Sequence, residues 1–209
     1  MLVLFVIILG YLVGSIPTAY WLGKWKHGMD IREHGSKNAG ATNTFRVFGK
    51  KTGWTVLLID VAKGTLAALL PLIFSNYYSG YKDEQLILQL ASSFFSVIGH
   101  VFPIFANFRG GKGVATSLGI VVGINPFAAL ICFLLFLFVF LTTRFVSLGA
   151  ICASLVFPII SYYVMKEDAR IMIIFTIILS SLVIVAHRKN ISRLLKGEEN
   201  KMNLLKKKA

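Results

Sequence analysis

The chain has 209 residues, 56% of them hydrophobic, and a formal net charge of +13. A soluble domain of this length is much less apolar, and the apolar residues here run in long uncharged blocks, so the composition excludes a soluble globular protein and defines a polytopic membrane protein. The only sizeable polar pieces are residues 23–53 and 187–209. The whole of 1–209 therefore reads as one integral membrane domain with a basic tail over 190–209.

The first block, Leu2–Leu22, is uncharged and long enough to cross a bilayer as a helix of roughly 20 residues. It has no basic flank before it and no small-residue cleavage site after it, so it reads as a span and not as a signal peptide. Gly10 and Gly14 stand four apart, a close-packing signal between helices. Pro17, in Gly14-Ser-Ile-Pro17, predicts a kink near the end of the span.

The next segment is a polar, Gly-punctuated loop, Arg32-Glu-His-Gly-Ser-Lys-Asn-Ala-Gly-Ala-Thr-Asn-Thr-Phe-Arg46. Glycine lets backbone N–H groups approach a ligand and form anion nests. Around Gly35 and Gly40, the small polar side chains of Ser36, Asn38, Thr42 and Asn43 suit several hydrogen bonds to phosphate oxygens. Arg46 can grip such oxygens with two donors. Attraction to anionic lipid needs only charge, and it accounts for Lys50 and Lys51 but not for this density of Gly, Asn, Ser and Thr.

Asp60 and Lys63 stand i, i+3 at the head of the second span. Charges there are costly, and either a structural ion pair or a site lysine oriented by Asp60 fits them. The following apolar blocks are Gly64–Tyr81 and Gln85–Phe108. His100, inside the latter, reads equally as a packing residue and as a site member. Phe108-Arg-Gly-Gly-Lys-Gly-Val-Ala-Thr116 is the second Gly-rich basic stretch. It lacks the full nucleotide P-loop pattern and the strand before it, which excludes an NTPase. What remains is an anion nest of Gly110, Gly111 and Gly113 with Lys112 as its charge, Thr116 nearby, and a helix from Val114 aiming its N-terminus at the anion.

Block Val114–Thr143 contains the turn signal Gly123-Ile-Asn-Pro126. It is read as two short spans broken there, with one long tilted helix as the alternative. Gly119 and Gly123 again mark close packing. Arg144-Phe-Val-Ser147 puts a hydroxyl one turn from a cation at a span boundary. Blocks Phe145–Met165 and Ile171–Ala186 follow, and His187-Arg-Lys-Asn190-Ile-Ser-Arg193 leaves the last span. Cys132 and Cys152 lie in apolar blocks and read as small core hydrophobes.

Loop 23–53, the turns at 109–112 and 144, and the tail hold eighteen of the 22 Lys and Arg residues. The positive-inside rule places these pieces in the cytoplasm, and the acidic connections near 75–85 and 163–170 outside. Span parity then gives a seven-helix all-α transmembrane bundle with the N-terminus outside, the C-terminus cytoplasmic, and a short fourth span near 114–123. The carboxylates do not cluster as a metal site requires, no cysteine is placed as a nucleophile, and no histidine is followed five residues later by the aspartate that many glycerolipid acyltransferases use. No nucleic-acid partner is implied.

Taken together these motifs resemble the bacterial acyl-phosphate:glycerol-3-phosphate acyltransferase (PlsY) family. The stretches are Gly14-Ser-Ile-Pro17, Gly35-Ser-x-Asn-x-Gly-Ala-Thr-Asn43 with Arg46, Asp60-x-x-Lys-Gly64, Gly99-His-x-Phe-Pro103, Phe108 to Thr116, Arg144-x-x-Ser147, and His187-x-x-Asn190 with Arg193, in the family's order. The resemblance implies transfer of a fatty acyl group from a long-chain acyl phosphate to the sn-1 hydroxyl of sn-glycerol 3-phosphate, giving 1-acyl-glycerol 3-phosphate (lysophosphatidic acid). It implies no cofactor and no metal. It also implies a multi-pass protein of the bacterial inner membrane with its active site facing the cytoplasm, and membrane lipid and the soluble acyl-phosphate-producing enzyme as candidate partners. The implied catalytic set is Ser36, Arg46, Lys112, His187 and Asn190. The implied substrate-binding set is Gly35, Asn38, Gly40, Thr42, Asn43, Gly110, Gly111, Gly113, Thr116 and Ser147. The alternative reading is a transporter of a phosphorylated metabolite. The metal-binding aspartate pattern of a CDP-alcohol phosphotransferase is absent.

Overall fold

A computed structural model describes residues 1–77, 82–166 and 169–202. The basic end at 206–208 and parts of both acidic connections, 78–81 and 167–168, lie outside the described residues. Among the described residues all regular structure is helical. The helices are α1 (Leu2–Gly14), α2 (Thr18–His27), α3 (Ala41–Phe48), α4 (Lys50–Leu69), α5 (Lys82–Val101), α6 (Val114–Ile124), α7 (Pro126–Thr143), α8 (Val146–Ile159), α9 (Arg170–Ala186) and α10 (Arg188–Leu195).

Five stretches are long and apolar enough to cross a membrane: Leu2–His27, Lys50–Phe74, Glu84–Ala106, Pro126–Thr143 and Val146–Val164. Helix α9 passes the same test together with α10, across a 60° bend. The seventh apolar helix, α6, has eleven residues, a rise of about 16 Å, which is only half of a hydrocarbon core. Residues 114–143 form two helices, as the Asn125-Pro126 turn signal predicts, because the residue before proline is pushed out of the helical region. The same chemistry breaks the first span. Pro17 cannot donate a helical hydrogen bond, so α1 stops at Gly14 and α2 starts at Thr18.

The chain divides into two compact units, Met1–Phe127 and Ala128–Ala209. In the first unit α1 packs on α5, and α4 on α6, α3 and α5. The glycines explain the two tightest pairs. A Cβ at Gly10 or Gly14 would overlap the backbone of Ser92 or Ser96 on α5, and one at Gly64 or Gly119 would overlap Thr116 on α6 or Val61 on α4. Without a hydrophobic force between helices in lipid, such close approach provides the attraction through dispersion contacts. The lipid-type surface is plain in both units: Leu4, Leu58 and Ile73 in the first, and Phe138, Leu141 and Ile174 in the second, are all more than half exposed. In the second unit α8 packs on α9, and α10 rests against both.

Candidate functional site

In the first unit the loop between α2 and α3 is folded by two side chains. Gly28 ends α2 in a left-handed conformation that returns the chain. Buried Arg32 then grips the Asp30 carboxylate through Nε and Nη2 at 3.0 and 2.8 Å. Its guanidinium lies 4.1 Å above the Tyr20 ring, and Nη1 donates to the Ala106 carbonyl at 2.7 Å. That last bond ties the 28–40 loop to the segment that follows α5. The hydrogen bonds from Arg32 outweigh burial and hold the Asp30 carboxyl below its usual range.

Asn43, 1% exposed, is the hub of the loop. Its Nδ2 reaches the carbonyls of Ile31, His34 and Asn38 at 2.9–3.1 Å, and its Oδ1 accepts the Ser36 N–H at 2.8 Å. Gly35 and Lys37, both with φ near +60°, supply the reversals this closure needs. The Lys37 N–H donates to His34. Within 35–43 the Ser36 and Lys37 N–H donors are engaged inside the loop. The loop instead presents side chains. Ser36 and Arg46 are exposed, and Asn38, Gly40 and Thr42 are half-buried.

The second Gly-rich stretch also engages two of its own donors. The Gly110 and Gly111 N–H groups donate to the carbonyls of Val101 and His100, both at 3.1 Å, because the chain doubles back on the last turn of α5. Beside them stand the half-buried Lys112 side chain and the first turn of α6, whose leading N–H groups have no intrahelical acceptor. Gly113 caps that helix with φ +80°. Thr116 is fully buried against α4 and sits under this turn.

Beneath both stretches lies a cavity of about 10 Å³, lined in part by Pro17, Ala39, Asp60, Lys63, His100 and Gly111. Asp60 receives Lys63 Nζ at 2.8 Å and the Thr18 hydroxyl at 3.2 Å. Lys63 also donates to the Ile16 carbonyl at 2.9 Å, which accepts the Thr18 N–H at 3.1 Å as well, at the break between α1 and α2.

In the second unit Ser147, Asn190 and Arg193 converge on one carboxylate, that of Glu199. Ser147 Oγ donates to it at 2.8 Å, Asn190 Nδ2 at 2.6 Å and Arg193 Nε at 2.7 Å. Burial raises the Glu199 carboxyl, but these three donors overcome that and hold it below its ordinary range. His187 is buried, and its Nδ1 stands 2.7 Å from the Val183 carbonyl. A carbonyl only accepts, so Nδ1 carries the proton of the neutral ring. Arg144 is exposed and left-handed at the turn before α8, and its carbonyl accepts the Met202 N–H.

The sequence did not single out Arg32 or Glu199. Arg32 read as loop charge, although a basic residue two positions after Asp30 was a signal. Glu199 stood in a basic tail without a motif around it.

The fold and these clusters define a multi-pass, all-α integral membrane protein with cations and hydroxyls gathered on its connecting segments. The family model described as glycerol-3-phosphate acyltransferase matches residues 4–197. Curated relatives of that name include one from Bacillus cereus strain G9842, 46% identical over 200 residues (96% of this chain and 95% of the relative). Another, from Fusobacterium nucleatum, is 40% identical over 195 residues (93% and 95%). A crystal structure of PlsY (YgiH), an integral membrane glycerol 3-phosphate acyltransferase, in its glycerol 3-phosphate form, superposes with a TM-score of 0.87 at 37% identity over 98% of both chains. The lysophosphatidic acid form of PlsY gives 0.83 at 35% identity, over 98% of this chain and 97% of that one. The chain belongs to the glycerol-3-phosphate acyltransferase family, the PlsY family, and is an acyltransferase.

Proposed function

We propose that the protein transfers a fatty acyl group from an acyl phosphate to the sn-1 hydroxyl of sn-glycerol 3-phosphate, at the cytoplasmic face of a bacterial inner membrane. The observation that carries this is the end-to-end likeness to a PlsY structure in its glycerol 3-phosphate form. The residue chemistry supports it. Both substrates are phosphates, and this chain gathers cations and hydroxyls on its connecting segments while His34, His100 and His187 lack the aspartate of a conventional acyltransferase base pair.

The step balances without a protein base. The sn-1 oxygen attacks the acyl carbon, the bond from that carbon to the phosphate oxygen breaks, and the hydroxyl proton passes to the departing phosphate. An acyl phosphate is a mixed anhydride, so its leaving group is already good. Positioning and charge stabilisation then supply most of the rate. In this reading Arg46, Lys112, His187 and Asn190 bind glycerol 3-phosphate, and exposed Ser36 stands beside the reacting groups. Thr42, Ser147, Gly113 and the first turn of α6 serve the acyl phosphate. Gly35, Asn38, Gly40, Asn43, Gly110, Gly111 and Thr116 shape the two stretches that present these groups. The acyl chain lies along apolar helix surface.

The test is phosphate release by purified protein in lipid mesophase. Release that needs both palmitoyl phosphate and glycerol 3-phosphate, and does not occur with palmitoyl-CoA, is the expected result. Release from palmitoyl-CoA would overturn the donor, and no release from folded protein would overturn the reaction.

A further inference from the structure

Three ionisable groups inside the first unit have no place in that chemistry. Asp60 is 2% exposed, Lys63 4% and His100 7%, so none of them meets a substrate at the surface. Charges in a membrane-spanning helix are costly. A buried ion pair is weak evidence for stability, because well-packed apolar residues often do as well. The pair therefore invites another role, and the geometry supplies one.

We propose that Asp60, Lys63 and His100 are positioning residues, with the His100 ring acting as a strut between α4 and the Gly110-Gly111-Lys112 segment. The two ends of the ring are both engaged. Nδ1 faces Asp60 Oδ1 at 3.8 Å. Nε2 lies against Gly111, where a Cβ would collide with it. Gly111 also donates its N–H to the His100 carbonyl at 3.1 Å. The residue before Lys112 is therefore held by both the backbone and the side chain of His100. At the other end, Asp60 is fixed by Lys63 at 2.8 Å and Thr18 at 3.2 Å, and Lys63 is anchored on the Ile16 carbonyl. The pair thus locks the proline break of the first span, and the ring transmits that fixed height to the loop. Lys112 can only sit correctly on a phosphate if Gly111 sits correctly on His100. Displacing a positioning group by about 1 Å costs on the order of 10²-fold in rate.

This inference rests on the substrate reading above, and a double-mutant cycle on the full-length protein in mesophase separates the two. Gly111→Ala, His100→Ala and the double variant are compared with wild type. Turnover of palmitoyl phosphate with glycerol 3-phosphate is read alongside the shift in unfolding midpoint that glycerol 3-phosphate alone produces. Gly111→Ala drives a methyl into the ring and should lose on the order of 10²-fold in kcat/KM. The double variant gives the methyl the space the ring vacates, so its loss should fall well short of the product of the single losses. Losses that simply multiply, in folded variants, would overturn the strut. If Gly111→Ala does not fold, Asp60→Asn replaces it. Asp60→Asn strands the buried Lys63 cation and should lower the unfolding midpoint, so it is read in the fraction that stays folded, where it should raise the KM for glycerol 3-phosphate more than it lowers kcat, and an unchanged KM would overturn the proposal. Wild type that is stabilised by glycerol 3-phosphate but does not turn over refutes the donor reading, while the ligand-induced shift still reports the coupling.

Discussion

The side-chain amide of Asn190 donates to the Glu199 carboxylate at 2.6 Å, so a residue marked for substrate contact is occupied by the chain's own anion. Ser147 and Arg193 complete the same carboxylate's shell. The Glu199 carboxylate thereby docks the C-terminal segment after α10, alongside the Met202 N–H bond to the Arg144 carbonyl.

That docking is pH-dependent. The folded Glu199 carboxyl lies below its ordinary value, 4.5. Its contribution is therefore fully present above the unfolded value and is lost as pH falls through the folded one. Protection factors against hydrogen exchange at amides 197–202, with the intrinsic slowing of exchange in acid divided out, should be high at pH 7 and fall as the pH drops below the glutamate range. Glu199→Gln should show the faster exchange already at pH 7, at a cost of about 1–3 kcal/mol.

Lys112→Ala should lower kcat/KM by about 10²–10³-fold while the unfolding midpoint stays close to that of wild type, since the side chain is only half-buried. Steady-state kinetics and a thermal melt on the same preparation decide it. Normal turnover would remove Lys112 from the reaction.

Ser36 and Asn43 should separate cleanly. Ser36 is exposed, so Ser36→Ala should reduce activity and leave stability unchanged within about 0.5 kcal/mol. Asn43 is the buried hub of the loop, so Asn43→Ala strands several polar groups and should cost about 1–3 kcal/mol for each one left unpaired. Asn43→Asp should fail as well, because a carboxylate cannot donate to the carbonyls of Ile31, His34 and Asn38. Chemical denaturation of the three variants checks this.

Gly64→Leu should prevent α4 from seating on α6, because even a Cβ at that position overlaps the Thr116 backbone. The expected result is loss of monodisperse protein in detergent. Gly197→Ala, whose added Cβ would meet open space, is the comparison, costing only the strain of its left-handed backbone, about 1 kcal/mol.

The spans were legible because a bilayer imposes one length and one polarity on any crossing helix, and the breaks at Pro17 and Asn125-Pro126 were legible because proline acts locally. The short α6 was read from span parity, set by charge placement, together with the Asn125-Pro126 turn signal. The candidate site was legible as composition and not as wiring. Glycines at 110 and 111 promised free N–H donors, yet whether a donor is free depends on what the chain folds back against, here the end of α5. Arg32 reaches across 74 residues to Ala106, and Ser147 across 52 to Glu199. No local pattern encodes such pairings.

The Asn43 hub also has a thermodynamic consequence. Its hydrogen bonds close the 31–43 loop on itself through the chain's own groups. The conformational entropy of that segment is therefore surrendered when the protein folds and not when an anion arrives. In the proposed reading, an incoming phosphate meets a rim whose shape is already set, and little of its interaction energy is diverted into ordering backbone. Encounters at such a rim should be fast to form and limited in lifetime by the phosphate contacts alone, a behaviour suited to an enzyme that must release one anion before taking up the next.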